Sequence, residues 1–227
     1  RVCAGQAGDL DTALVAGRPV VVADAMPQLS GQRVLGFMPK LMSAAGKVQI
    51  HYEIQGPGSE LSLQRAPLAK YIQEVQRSTA QRAYLMISND VLVRPGLRDF
   101  VAPPVFCSHE PFGELPGPQA TTATAPSSLL PSLLVGGLGA SSCLHRGPMS
   151  CSSWIFLVLG KMQWRLLPPA PQGLCGVSGP VASAASSSLD AFSDSFPGAG
   201  PVYRATQRMG EVLVVPPGWW LQARLED

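Results

Sequence analysis

Apolar and polar positions alternate in short bursts along much of this chain. In "KVQIHYEI" the residues Val48, Ile50, Tyr52 and Ile54 share one side of an extended segment and polar residues take the other, which predicts a strand with one buried face. His51 falls on the polar side and is expected to be solvated. "RPVVVADAM", Arg18 to Met26, is a β-branched run behind a Gly-Arg-Pro turn, and "AYLMIS", Ala83 to Ser88, is a second short apolar run; both predict strands. Helical spacing occurs near the start. Between Arg65 and Arg77 the residues Leu68, Tyr71, Ile72 and Val75 recur at intervals of three and four, which predicts a helix opened by Pro67. "MPKLMSAAG" puts Pro39 where a first helical turn tolerates it and Gly46 where a helix stops.

Farther along, "SLLVGG", "ASSCLHR", "WIFLVLG", "MQWRLLPP", "EVLVVPP" and "WWLQARL" predict a series of short strands. Two stretches of low complexity interrupt them, Leu115 to Pro131 and Ala170 to Gly200. Both are expected to be surface loops too poor in large apolar groups to pack well, and the Ser-rich "SAASSSLDAFSDSF" reads as a disordered insertion. "RPGLRDFVAPPVF" reads as a turn, a short helical piece and an extended segment.

Composition sharpens this picture in a few respects. With 227 residues and 46% hydrophobic content the chain can bury a core, and one domain with long loops is expected. Glycine and proline number 23 and 22 against 14% charged residues, which suits turns and short strands better than long solvated helices. Short strands, tight turns and a few early helices point to a mainly β (α+β) fold, a barrel or sandwich flanked by N-terminal helices. The five cysteines (Cys3, Cys107, Cys143, Cys151, Cys175) show no CxxC spacing, so a reducing, intracellular compartment is expected, and no zinc ribbon. The net charge of +2, with both signs interspersed, offers no footprint for nucleic acid or an acidic membrane. No stretch approaches the roughly 18 apolar residues of a membrane span. The chain begins with Arg1 and ends inside an expected strand, so a fragment or a mistaken gene model is expected.

The informative block is "LLVGGLGASSCLHRGPMSCSSWIFLVLGKMQWRLLPP" together with "MGEVLVVPPGWW". With "RPVVVADAM", "LSLQRAPLAKYIQEV" and "AYLMISNDVLVRPGLRDFVAPPVF" upstream, these segments in this order resemble the Jumonji-C (JmjC) family, the cupin-like barrels of the Fe(II)/2-oxoglutarate oxygenase superfamily. The resemblance covers most of the chain. It implies a double-stranded β-helix (jelly-roll) in a single domain over 1–227, with a helix-and-strand region over 1–106 and the barrel core over 132–227, the latter cut short at its C-terminus.

The resemblance also implies a site. In such enzymes a His, a carboxylate and a second His hold iron and leave three positions for 2-oxoglutarate and O₂. The HxD motif falls here on His145, Arg146 and Gly147, so the carboxylate is missing. The histidine that follows "PPGWW" is Leu221. The lysine that pairs with 2-oxoglutarate falls on Met162, beside Lys161, and the polar pocket residue falls on Ile155. The tryptophans Trp154, Trp164, Trp219 and Trp220 match core and rim positions; an aromatic groove for a peptide or methyl-lysine is the sharper reading of them, barrel core the ordinary one.

One surviving ligand does not hold Fe(II), because affinity comes from several converging groups. The expectation is therefore a pseudo-oxygenase without iron or 2-oxoglutarate that serves as a binding or scaffold module for a protein or peptide. The alternative is an active Fe(II)/2-oxoglutarate-dependent protein or RNA hydroxylase, or lysine demethylase, that recruits displaced ligands such as Cys143, His109 and Glu110. His145 itself then reads either as the one remaining ligand or as a neutral, hydrogen-bonded core histidine. Sequence motifs for a P-loop, a zinc protease or a serine hydrolase elbow are absent.

Overall fold

A computed structural model of the chain describes residues 2–3, 12–13, 15–25, 35–55, 62–79, 83–88, 91–92, 94, 96–97, 132–147, 152–169, 185–197 and 200–226. Strands dominate. Sheet I runs in the order β1 (Val2–Cys3), β2 (Val20–Ala23), β12 (Val212–Val215), β8 (Ser153–Phe156). Sheet II runs β10 (Ala185–Ser187), β7 (Leu144–Arg146), β13 (Trp220–Leu225), β9 (Lys161–Leu167), β11 (Tyr203–Arg208). Sheet III runs β4 (Ser62–Pro67), β3 (Gln49–Gln55), β5 (Ala83–Ser88), β6 (Leu133–Gly136). Every strand pairing is antiparallel except the short β1–β2 pair.

Alternation decides how the sheets pack. In sheet I, Val21, Leu213 and Ile155 lie in one cross-strand row, and they face Met162, Trp164, Leu166, Leu221 and Ala223 of sheet II in a single apolar cluster. The opposite parity of sheet I, Val20, Val22, Val212 and Val214, forms a second cluster with Trp154 and Phe156. The long valine runs of β2 and β12 are therefore buried on both faces, which is why they show no alternation in the sequence.

Sheet III carries two helices among the described residues, α1 (Phe37–Ala45) and α2 (Leu68–Gln76). Phe37, Leu41 and Ala45 of α1 and Leu68, Tyr71 and Ile72 of α2 bury stripes at helical spacing against Ile50, Tyr52 and Met86. The expected helix opened by Pro67 is present, as Leu68–Gln76, and the strand that precedes it was not expected. Ser62–Pro67 is a strand paired with β3, and the helix begins at Leu68. Pro67 is the hinge: its backbone is extended, with φ −58° and ψ 142°, and its missing N–H costs nothing at a helix start. The first helical N–H groups, of Leu68 and Ala69, donate to the carbonyls of Val48 and Gly46 at 2.9 Å each.

The second low-complexity stretch is also corrected in part. Within it, Ala185–Ser187 is a strand paired with β7, and Leu189, Ala191 and Phe196 pack with Leu144, Leu167 and Trp220 on the outer face of sheet II. Two bonds fasten this segment, from the Ala191 N–H to Gln222 Oε1 at 2.7 Å and from Gln222 Nε2 to Asp190 Oδ1 at 3.0 Å. The first low-complexity stretch, with His109 and Glu110 and most of "RPGLRDFVAPPVF", lies outside the described residues. Among the described residues no helix is long and apolar enough to cross a membrane.

Candidate functional site

The turn "PPGWW" places the site. Gly218 holds a φ of +81°, a conformation that costs any L side chain, and a Cβ there would stand 3.3 Å from Pro169 Cγ. The two indoles that follow point to opposite sides of the sheet, as successive strand residues must. Trp219 joins the cluster between the sheets and donates its Nε1–H to the Gly17 carbonyl at 2.9 Å, tying the turn to the N-terminal segment. Trp220 packs on the outer face with Leu144 and Leu167, under the Arg146 guanidinium at 5.6 Å. Leu221 then returns to the interior.

The register sets Leu221 of β13 directly opposite His145 of β7. Cross-strand partners share a face, so the two positions that the resemblance assigns to histidine ligands stand side by side at the inner face. Leu221 is 6% exposed and belongs to the same apolar cluster as Met162, Trp164, Leu166 and Ile155. The pocket positions Ile155 and Met162 thus meet around an interior filled by hydrocarbon and aromatic side chains. Lys161 does not belong with them, and its place among the pocket positions is corrected. It stands on the other side of β9, where its Nζ pairs with Glu226 Oε2 at 2.6 Å.

His145 is half-buried, and its Nδ1–H donates to the Cys143 carbonyl at 2.9 Å, leaving the Nε2 lone pair as the acceptor of a neutral imidazole. Burial lowers its pKa, and the carbonyl contact opposes that only in part. Gly147 follows just beyond β7. A Cβ there would approach Ser153 Oγ to 3.3 Å, so the space where a carboxylate would begin is bordered by a hydroxyl. Cys143, a candidate displaced ligand, precedes β7 and is exposed. Its thiol is raised above the ordinary value, first by partial burial and then by Glu53. A thiol held protonated is a poor metal ligand.

The four tryptophans do not converge. Trp164 and Trp219 are inside, Trp154 lies in the cluster on the far face of sheet I, and Trp220 on the far face of sheet II. They are packed in three places and make no common cage.

One interior group went unnoticed in the sequence. Gln207 is fully buried in β11; its Oε1 accepts from Trp164 Nε1 at 2.9 Å, and its Nε2 donates to the carbonyls of Ile155 and Glu211 at 2.8 Å each. It links β9, β11 and β8 across the interior. Its signal was the parity of "YRATQR", which sets Ala205 and Gln207 on the inward side.

Iron and 2-oxoglutarate do not fit these residues. An ion needs several converging donors, and a dicarboxylate needs positive charge or N–H and O–H groups. Among the described residues the inner face offers one imidazole beside Leu221, Met162 and Ile155. Among the described residues no three His, Cys, Asp or Glu side chains come together at one point.

No family model and no curated protein matches the sequence. Among solved structures, the X-ray structure of E. coli ycfD is similar over 96% of this chain and 50% of its own, at 14% identity and a TM-score of 0.47. The chain spans about half the length of that structure, and a likeness of this size assigns neither fold nor activity.

Proposed function

We propose that the chain is a JmjC-like domain, a cupin-like jelly-roll whose iron and 2-oxoglutarate positions have been converted into hydrophobic core, and that it works as a binding or scaffold module. The ordered sequence resemblance supports the family, and two antiparallel sheets packed across one apolar cluster are compatible with the barrel. The observation that carries the reading is the cross-strand pair His145–Leu221. The two positions meet as a pair of ligands would, yet one is a buried leucine and the space between the sheets is filled by its apolar neighbours. The oxygenase alternative would have to draw on Cys143, which is exposed and held as a thiol, and on His109 and Glu110.

Titration calorimetry of the chain with Mn(II), as a redox-stable probe for Fe(II), tests this. The expected result is no stoichiometric heat with the native chain. A tight one-to-one site that is lost in His145→Ala overturns the proposal.

A further inference from the structure

The outer face of sheet II concentrates positive charge in a way that the chain's average conceals. Across the β9–β11 ladder, Arg204 stands directly opposite Arg165, and Arg208 directly opposite Lys161. Like charges placed directly opposite each other destabilise a sheet. Between them Thr206 Oγ1 donates to Gln163 Oε1 at 3.1 Å, so the ladder reads cationic, polar, cationic. One strand inward, Arg224 reaches the same patch, and the guanidinium carbons of Arg165 and Arg224 lie 4.3 and 4.2 Å from the centre of the Phe192 ring. The ring holds the two cations near each other at the protein surface.

Among the described residues, five cations of the patch (Lys161, Arg165, Arg204, Arg208, Arg224) stand with three carboxylates. Asp190 pairs with Arg224 at 3.2 Å and Glu226 with Lys161 at 2.6 Å, while Glu211 is buried and accepts the backbone N–H of Arg208. Arg165 feels the excess: partial burial first, and then the charges of Arg204 and Arg224, hold its guanidinium below the ordinary value against the pull of Asp190.

The backbone beside this charge is also open. β11 ends the strand order of sheet II, so no described strand pairs with its outer edge. At its two ends Tyr203 is 49% and Met209 54% exposed; Tyr203 lies on the face opposite the cationic row, edge-on to Trp219 at 5.3 Å. Charge on an edge strand guards it against pairing with its like. Here the charge continues two strands inward, to Arg165 and Arg224, which suits a bound anion better than a guard.

We propose that β11 is the docking edge for an extended acidic segment of a partner protein, which adds as a further strand of sheet II and lays alternate Asp or Glu side chains beside Arg204 and Arg208. Strand geometry favours a peptide over a nucleic acid. Residues two apart on one face of a strand are separated by about 6.7 Å, so acidic side chains four apart in an extended peptide repeat at the Arg204–Arg208 spacing while the backbones pair. Such a strand sets carboxylates beside Arg204 and Arg208 and covers an exposed edge at once. The inference stands apart from the metal positions, which lie on the opposite face of the sheet.

The test is fluorescence polarisation with the full chain and a labelled peptide that alternates Glu with Val. Expected are saturable binding that weakens as salt rises, loss of binding when Gln replaces Glu in the peptide, and about tenfold weaker binding to Arg204→Gln/Arg208→Gln. The same peptide with alternate N-methyl amides, which keeps its charge and cannot pair as a strand, should not bind. The proposal is overturned by no binding, by equal binding of the N-methylated peptide, or by a single-stranded oligonucleotide of equal charge that displaces the peptide more effectively. The peptide-side substitutions keep the test decisive even if the double variant folds poorly.

Discussion

Shortening Leu221 asks whether the space between the sheets is a packed core or a wetted pocket. Leu221 is 6% exposed and packs among Trp164, Leu166, Trp219 and Ala223. Removing a buried leucine side chain to alanine costs about 2–5 kcal/mol, the low end where neighbours collapse into the gap and the high end where they cannot. Both large neighbours are pinned here, Trp164 by its bond to Gln207 and Trp219 by its bond to Gly17, each at 2.9 Å. Leu221→Ala is therefore expected in the upper half of that range, about 3–5 kcal/mol. Leu221→Met, nearly equal in volume, should cost less than about 1.5 kcal/mol. Leu221→His forfeits about 1.5–3 kcal/mol of apolar transfer and leaves a buried polar group wanting a partner, a further 1–3 kcal/mol or so. Urea unfolding followed by tryptophan emission reads all three as midpoint shifts at constant slope. If both Ala and His cost under about 1 kcal/mol, position 221 borders water, and the argument from a filled interior fails.

Three further perturbations test other parts of the interior. Gln207→Leu strips an acceptor from Trp164 and donors from two carbonyls, and at about 1 kcal/mol per bond should lower stability by roughly 3 kcal/mol, with an altered Trp164 environment visible in near-UV dichroism. Gly218→Ala should cost about 1–2 kcal/mol for its backbone conformation, plus the Pro169 contact; Gly210→Ala, at a φ of +84° with open space around it, supplies the backbone cost alone. If the two unfold at the same temperature, the Pro169 contact carries no energy. His145, whose pKa is lowered in the fold, takes up a proton more readily unfolded than folded. Stability should then fall as pH drops through the unfolded value near 6.5, with a slope of at most about 1.4 kcal/mol per pH unit from this group. His145→Gln should flatten the profile on that acid side, and an unchanged profile would contradict the assignment.

The strands with one buried face and the apolar valine runs could be read directly from the chain, because burial and period coincide there. Ser62–Pro67 could not. Ser62, Leu63, Gln64 and Arg65 are all exposed, so the strand carries no alternation of buried and exposed positions by which to recognise it. The packing of 185–197 was hidden for a related reason. Its anchors Leu189, Ala191 and Phe196 are diluted among serines, and the segment is held largely by polar bonds that Gln222 and Asp190 make at long range. Parity told which way Leu221 points, but not what surrounds it. That required knowing that Val21, Ile155 and Leu213 of another sheet face it. The arginine ladder escaped notice because a net charge of +2 is an average, whereas Arg165, Arg204 and Arg224 meet only through strand register.

The "PPGWW" turn needs no chemistry to explain it. Gly218 is set by its φ of +81°, Pro169 packs beneath it, Trp219 ties the turn to Gly17, and Trp220 fills the outer cluster under Arg146. Each of these residues is held by packing or hydrogen bonding on its own account. The positions that depart from the resemblance, 147, 155, 162 and 221, are ones at which the resemblance implies polar groups for an ion or a dicarboxylate. At two of them the substitute is a residue the core itself welcomes, Met162 at 4% exposure and Leu221 at 6%. A turn of this kind is therefore evidence about how a sheet is closed, and it informs on catalysis only through the residue that follows it.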